Sequence, residues 1–134
     1  MNITHDGNAP FTGVIRIPLA TNPLSLNKSR HWRTEAKLKK QWRTFAKLSA
    51  YRYPELAAVD VTLTWFTTID RTRDEDNMAL LLKCLCDGLV DAGVVADDDP
   101  KHMGKKCRIE RAPEGTTKAY MELSLVSRPY AVQP

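Results

Sequence analysis

The 134-residue chain has no apolar run approaching the ~18–20 residues that span a bilayer. Met78 to Leu82 is among its longest apolar stretches, and no basic start followed by an apolar core occupies the first thirty residues. Neither a membrane anchor nor an export signal is expected. Cysteine is scarce too: three residues, an odd number without framework spacing, exclude a disulfide scaffold and fit a reducing compartment, so a cytoplasmic location is expected. Zinc chemistry lacks its signature, since there is no Cys-x-x-Cys or His-x-x-x-His pair. Cys84 and Cys86 point ~200° apart on a helix and read as buried free thiols.

What is present is an ordinary globular balance, 43% hydrophobic and 27% charged. One domain over residues 1–134 is expected, with residues 1–12 and 128–134 as flexible ends. The net charge of +4 is a weak hint of a polyanionic partner. Its distribution says more. Lys28 to Arg52 holds nine Lys and Arg against the single acid Glu35, whereas Asp70 to Asp99 holds nine acids against Arg71, Arg73 and Lys83.

Periodicity predicts the order β-α-β-α-β-β, an α/β layer sandwich. Val14 to Leu19 reads as an edge strand ended near Pro18. A helix over about Lys28 to Ala50 docks through Leu38, Trp42, Phe45 and Ser49, and carries Arg33, Lys37, Lys40 and Lys47 on one solvent side. Such a cationic row could follow a phosphate backbone or be an ordinary solvated face. Val59 to Phe66 alternates as a half-buried strand. Residues from about Asn77 to Ala92 form a helix, with Gly93 as its left-handed terminator. Met103 to Arg111 and Lys118 to Ser127 read as two strands joined as a hairpin. Trp32, Trp42 and Trp65 are expected in the core or a dimer contact rather than as base-stacking platforms, with stacking as the alternative for Trp32 among its cations.

Two carboxylate clusters bracket the second helix. Asp74 and Asp76 precede it, and in extended backbone they point to the same side, a spacing that suits two oxygens on one hard cation. Asp97, Asp98 and Asp99 follow it. A helix over residues 77–91 is ~22 Å long, and the seven residues from Ala92 to Asp98 reach at most ~23 Å. Return is allowed only if Val94-Val95 runs back close to the helix or sheet. Taken singly, Asp74 or Asp76 could be a helix N-cap and the Asp triplet a solvated turn. Taken together, so many acids in a basic protein repel one another, a penalty that a divalent cation removes. Lys83 either pairs with Asp87 at i+4 or helps to neutralise a phosphate.

The ordered series Asp74-x-Asp76-Asn77, Lys83, Asp87-Gly-Leu and Gly93-Val-Val-x-Asp97-Asp98 resembles the signature of the RusA-type Holliday junction resolvases, and Pro23-Leu-Ser-Leu-Asn27 with Arg30 and Trp32 is similar to that family's N-terminal motif. The resemblance runs over roughly Pro23 to Asp99. It implies a homodimeric α/β endodeoxyribonuclease, often prophage-encoded, that cuts four-way DNA junctions by paired symmetric nicks with Mg²⁺, Mn²⁺ being a possible substitute, in recombination and repair. No nucleotide cofactor is implied. Carried over by position, the metal ligands fall on Asp74, Asp76 and Asp98, with Asp97 or Asp99 as register alternatives. Lys83 takes the place of the catalytic lysine, six positions after Asn77 rather than three, where Leu80 stands.

The DNA-binding set on this reading is Asn27, Arg30, Arg33, Lys37, Lys40, Arg71, Arg73, Lys101, Lys105 and Lys106. Two rivals stand beside it: a non-catalytic basic module that binds DNA junctions, and a metal-dependent nuclease acting on flaps or RNA.

Overall fold

Alternation along the central strand commits one of its faces to a core. In the computed structural model, which describes residues 10–24, 31–68 and 78–128, that face is closed to solvent. The elements are β1 (Thr12–Ile17), α1 (Trp32–Ala50), β2 (Ala58–Thr67), α2 (Ala79–Asp91), β3 (Met103–Arg111) and β4 (Tyr120–Arg128). They follow the expected order. Together they make a small α/β unit whose mixed sheet runs β1-β4-β2-β3, with β4 antiparallel to both neighbours and β3 parallel to β2. Val61 and Leu63 of β2 and Leu123 and Leu125 of β4 share one core with Trp42, Ala46 and Ala50 of α1 and Leu81, Leu85 and Leu89 of α2.

The expected β3–β4 hairpin is not there, because β2 lies between the two strands. The reason is chemical. Met121, Leu123 and Leu125 are wholly buried, so β4 belongs inside the sheet, where it pairs with β1 on one side and β2 on the other. β3 carries Lys105, Lys106, Arg108, Glu110 and Arg111, a charge density suited to an edge. The connection after β3 therefore crosses the end of β2, where the Ala112 N–H donates to the Thr67 carbonyl, and turns at Gly115 with φ +90°. β1 holds the opposite edge and stops before Pro18, as a strand that loses a donor should. It begins two residues earlier than expected. Thr12 pairs with Val126, and Arg128 closes β4, so neither belongs to a flexible end.

α1 starts later than Lys28. His31 has extended backbone (φ −66°, ψ 141°) and its Nδ1 accepts from the Arg33 N–H at 3.2 Å, capping a helix that begins at Trp32. The docking stripe also shifts: Ser49 is exposed, while Ala46 and Ala50 are fully buried. Small residues win here because α2 comes close. A Cβ on Gly88 would collide with the Arg43 carbonyl oxygen and with Ala46. Trp42 and Trp65 lie in the core, but Trp32 is 67% exposed and is no core residue. Cys84 and Cys86 are buried free thiols, and burial pushes Cys86 up to about 12. Among the described residues no helix is long and apolar enough to cross a membrane.

Gly88→Ala is expected to destabilise the fold by about 1–3 kcal/mol through overpacking. Thermal unfolding followed by circular dichroism should show a midpoint lowered by several degrees; an unchanged midpoint would contradict the close approach of α1 and α2.

Candidate active site

α2 must be left abruptly if the chain is to turn back, and its last turn is built for that. Gly93, at φ +81°, donates to the Val90 carbonyl at 3.0 Å, and the Val94 N–H donates to the Leu89 carbonyl at 3.1 Å. This is the paired bonding of a Schellman end. Val94 and Val95 are then buried, and the Val94 carbonyl accepts from the Leu56 N–H at 2.6 Å. The reversal is anchored by apolar burial and by a bond to the segment that precedes β2.

The three aspartates that follow have different partners. Asp97 Oδ1 accepts from the Asp98 N–H at 2.7 Å. Asp99 Oδ1 accepts from the His102 N–H at 3.1 Å and lies 2.6 Å from His102 Nδ1, while the Asp99 carbonyl takes the His102 and Met103 N–H groups that start β3. Asp98 faces α2. Its Oδ2 accepts from Lys83 Nζ at 2.5 Å and from Lys105 Nζ at 3.1 Å. Lys83 also donates to Asp87 Oδ1 at 3.0 Å, so the helical i,i+4 pair and the contact to Asp98 coexist. Fifteen positions separate Lys83 from Asp98 in the chain.

Charge follows from these contacts. Hydrogen bonds from Lys83 and then Lys105 hold the Asp98 carboxyl well below the ordinary carboxylate range, at about 2. The bonds to Asp98 and then Asp87 raise the Lys83 ammonium above its usual value. At neutral pH Asp98 is an anion and Lys83 a cation. Asp98 Oδ1 accepts no hydrogen bond from a described residue. A carboxylate with one oxygen held and the other without a partner among the described residues fits a ligand of a hard cation.

Arg128 steadies the same turn from the sheet. Its Nε donates to Asp60 Oδ1 at 3.0 Å and its Nη2 to the Pro100 carbonyl at 3.0 Å. A Cβ on Gly104 would meet Asp60 Oδ1, so the carboxylate would have to shift. Sequence reasoning missed this brace, as it missed Lys105 as a partner of Asp98. One signal was available. Lys105, though exposed, sits level with Val61 on the face of the sheet that holds the core, whereas Lys106 beside Thr62 points to the other face.

Of the expected site residues, the structure brings together Lys83, Asp98 and Lys105. Asp74, Asp76, Asn27, Arg30, Arg71 and Arg73 lie outside the described residues. Among the described residues no three His, Cys, Asp or Glu side chains converge as a metal cluster would. Arg33, Lys37 and Lys40 are exposed on α1, and Lys101 is exposed beside the Asp triplet. The Arg33 guanidinium stands 5.1 Å from the centre of the Trp32 ring, against which His31 stacks at 5.7 Å.

No family model and no curated protein matches the chain. Among solved structures it is similar to a chain in the crystal structure of the HypE-HypF complex, with 9% identity and a TM-score of 0.37 over 91% of this chain and 34% of that one. The crystal structure of the hydrogenase maturation protein HypE gives 9% identity and a TM-score of 0.32, over 99% and 35% of the two chains. This chain thus spans about a third of the length of either. Likeness this slight carries no argument about function.

The Asp98 carboxyl, followed by carbon NMR during an acid titration, should titrate near a pH of about 2. Lys105→Gln should move that midpoint up toward the ordinary ~3.9. Because the folded-state value lies below the unfolded one, the stabilisation is full above that ordinary value and is lost as pH falls through the folded one. Asp98→Asn should therefore flatten the acid limb of the stability curve in that window, and an unchanged limb would reject the pairing.

Proposed function

We propose that this chain is a RusA-type, Mg²⁺-dependent endodeoxyribonuclease that resolves four-way DNA junctions by paired symmetric nicks. The observation that supports it most is the contact of Lys83 and Asp98, the lysine and the last aspartate of the ordered motif, across fifteen positions of chain. Asp74, Asp76 and Asp98 would hold the metal, which supplies activation of water and stabilisation of the leaving oxygen. The chain's own residues do the rest. Lys105 and Lys83 fix Asp98 and keep it ionised without any metal, so a ligand oxygen is preorganised. Lys83, permanently charged, presents its ammonium beside the carboxylate, where it favours a phosphodiester and the extra negative charge of its transition state.

Arg33, Lys37 and Lys40, with Lys101, Arg71 and Arg73, bind the sugar–phosphate backbone on this reading, and Asn27 and Arg30 contact DNA near the site. Lys106, on the other face of β3 from Lys105, would touch a different part of the substrate. A homodimer places two such sites about a two-fold axis, matching the symmetry of a junction. The setting is a reducing bacterial cytoplasm, with the gene carried by the host, a phage or a prophage.

One observation favours the rival, non-catalytic junction binder: Asp98 Oδ2 already has two ammonium partners, as in a purely structural ion-pair cluster. The same experiment separates the two. Incubated with a mobile four-way junction, the protein should nick symmetrically with Mg²⁺ or Mn²⁺ and not in EDTA. Asp74→Asn and Asp98→Asn should each lower cleavage by ~10²-fold or more while retaining junction binding in EDTA. Binding without metal-dependent nicks would establish the rival, and preferred cleavage of flaps or RNA would replace the substrate class.

A further inference from the structure

The cationic row of α1 is not uniform along its length. Its second half, Lys40 and Lys47, lines a cleft of about 590 Å³ whose other wall is α2. That volume lies within the usual ~300–1,000 Å³ of ligand sites. Three other cations line the cleft, and each is already matched: Lys39 to Glu35 at 3.7 Å, Arg43 to Asp91 through two bonds of 2.6 and 2.8 Å, and Lys83 to Asp87 and Asp98. The two carboxylates of the cleft, Asp87 and Asp91, are thereby neutralised from within. Lys40 and Lys47 form no ion pair with a described residue, although Lys47 acts on Asp91 at longer range, so theirs is the positive charge with no direct carboxylate partner among the described residues.

Their spacing has a meaning. Seven residues of helix put Lys40 and Lys47 ~10.5 Å apart along α1, about the rise of three base pairs along a duplex axis at ~3.4 Å each. Thr44, between them on the same wall, offers a hydroxyl donor. The floor adds no negative charge, because burial raises the Cys84 thiol and keeps it protonated. At the α2 wall stands Lys83, which also holds Asp98. Lys83 therefore belongs both to the cleft and to the candidate active site.

We infer that the α1–α2 cleft is a groove for a phosphodiester strand, with Lys40 and Lys47 as its backbone contacts and Lys83 as the point where the strand passes to the active site. Its destination rests on the nuclease reading; its binding does not. Arg33 and Lys37, on the first half of the row, do not line the cleft among the described residues and would contact the substrate outside it.

The test is fluorescence anisotropy with a labelled duplex and a labelled four-way junction, in EDTA, over a series of salt concentrations. The double variant Lys40→Gln/Lys47→Gln should bind at least about tenfold more weakly at low salt, and the slope of log K against log salt should shrink by about 1.8, the loss of two phosphate contacts. Lys118→Gln, in the β3–β4 connection at the far end of β3 from Asp98, should match the wild type in both. The inference is overturned if the wild type binds neither probe, if the double variant keeps the wild-type affinity and slope, or if Lys118→Gln loses as much. Groove-dependent binding without Mg²⁺-dependent cleavage would leave the groove standing and remove the nuclease.

Discussion

A lysine within an apolar helix and an aspartate in a turn beyond that helix can meet only if the chain reverses at once. Here the reversal is produced by a left-handed glycine, two carbonyls of α2 that would otherwise lack partners, and two valines that prefer the core to water. Each part is local, yet the outcome is not. If Gly93 could not take φ +81°, Val94 and Val95 would lose their place, and Asp98 would no longer reach Lys83. The electrostatics of the site hang on that turn, because a carboxylate far from both lysines would have an ordinary pKa.

The sheet supplies the second support. β3 begins where Asp99 caps it, and its third residue, Lys105, arrives at Asp98 because β2 and β3 run parallel. A hairpin between β3 and β4 would have needed no crossover, but it would have put the fully buried residues of β4 beside an edge strand heavy in charge. The observed order gives β4 two partners and leaves the charged strand one. The brace of Arg128 to Asp60 and Pro100 follows from it, since the last residue of β4 can reach the Asp turn only from the neighbouring position beside β2.

Much of this was legible in the residues. The alternation of β2, the buried face of α2, the terminating Gly93 and the strand end at Pro18 are local signals, and local signals survive folding. The pairing of β3 was not legible, because turn chemistry describes a connection and says nothing about which strand stands beside which. Ser49 was misplaced for a similar reason: a helical stripe gives a face, but the choice of Ala46 and Ala50 depends on how near Gly88 comes. At the candidate site the motif pointed to Lys83 and to the Asp triplet. Of the three, Asp98 is the one that meets Lys83, through the direction each side chain takes, which only the turn decides.

Charge balance connects the site to the rest of the molecule. Lys83 and Lys105 face Asp98 and Asp87, so this described cluster is formally neutral as it stands. On the proposed reading Asp74 and Asp76 join it and bring two further negative charges. A single divalent cation restores neutrality, which is why the chemistry favours a metal over more lysines: an ammonium cannot bridge three carboxylates at ligand distance, and a hard cation can. A phosphodiester approaching a cluster that is neutral overall gains little long-range attraction from it beyond its local contact with Lys83. The attraction must come from elsewhere on the surface, and Lys40 and Lys47, left over after the internal pairs of the cleft are made, are placed to provide it.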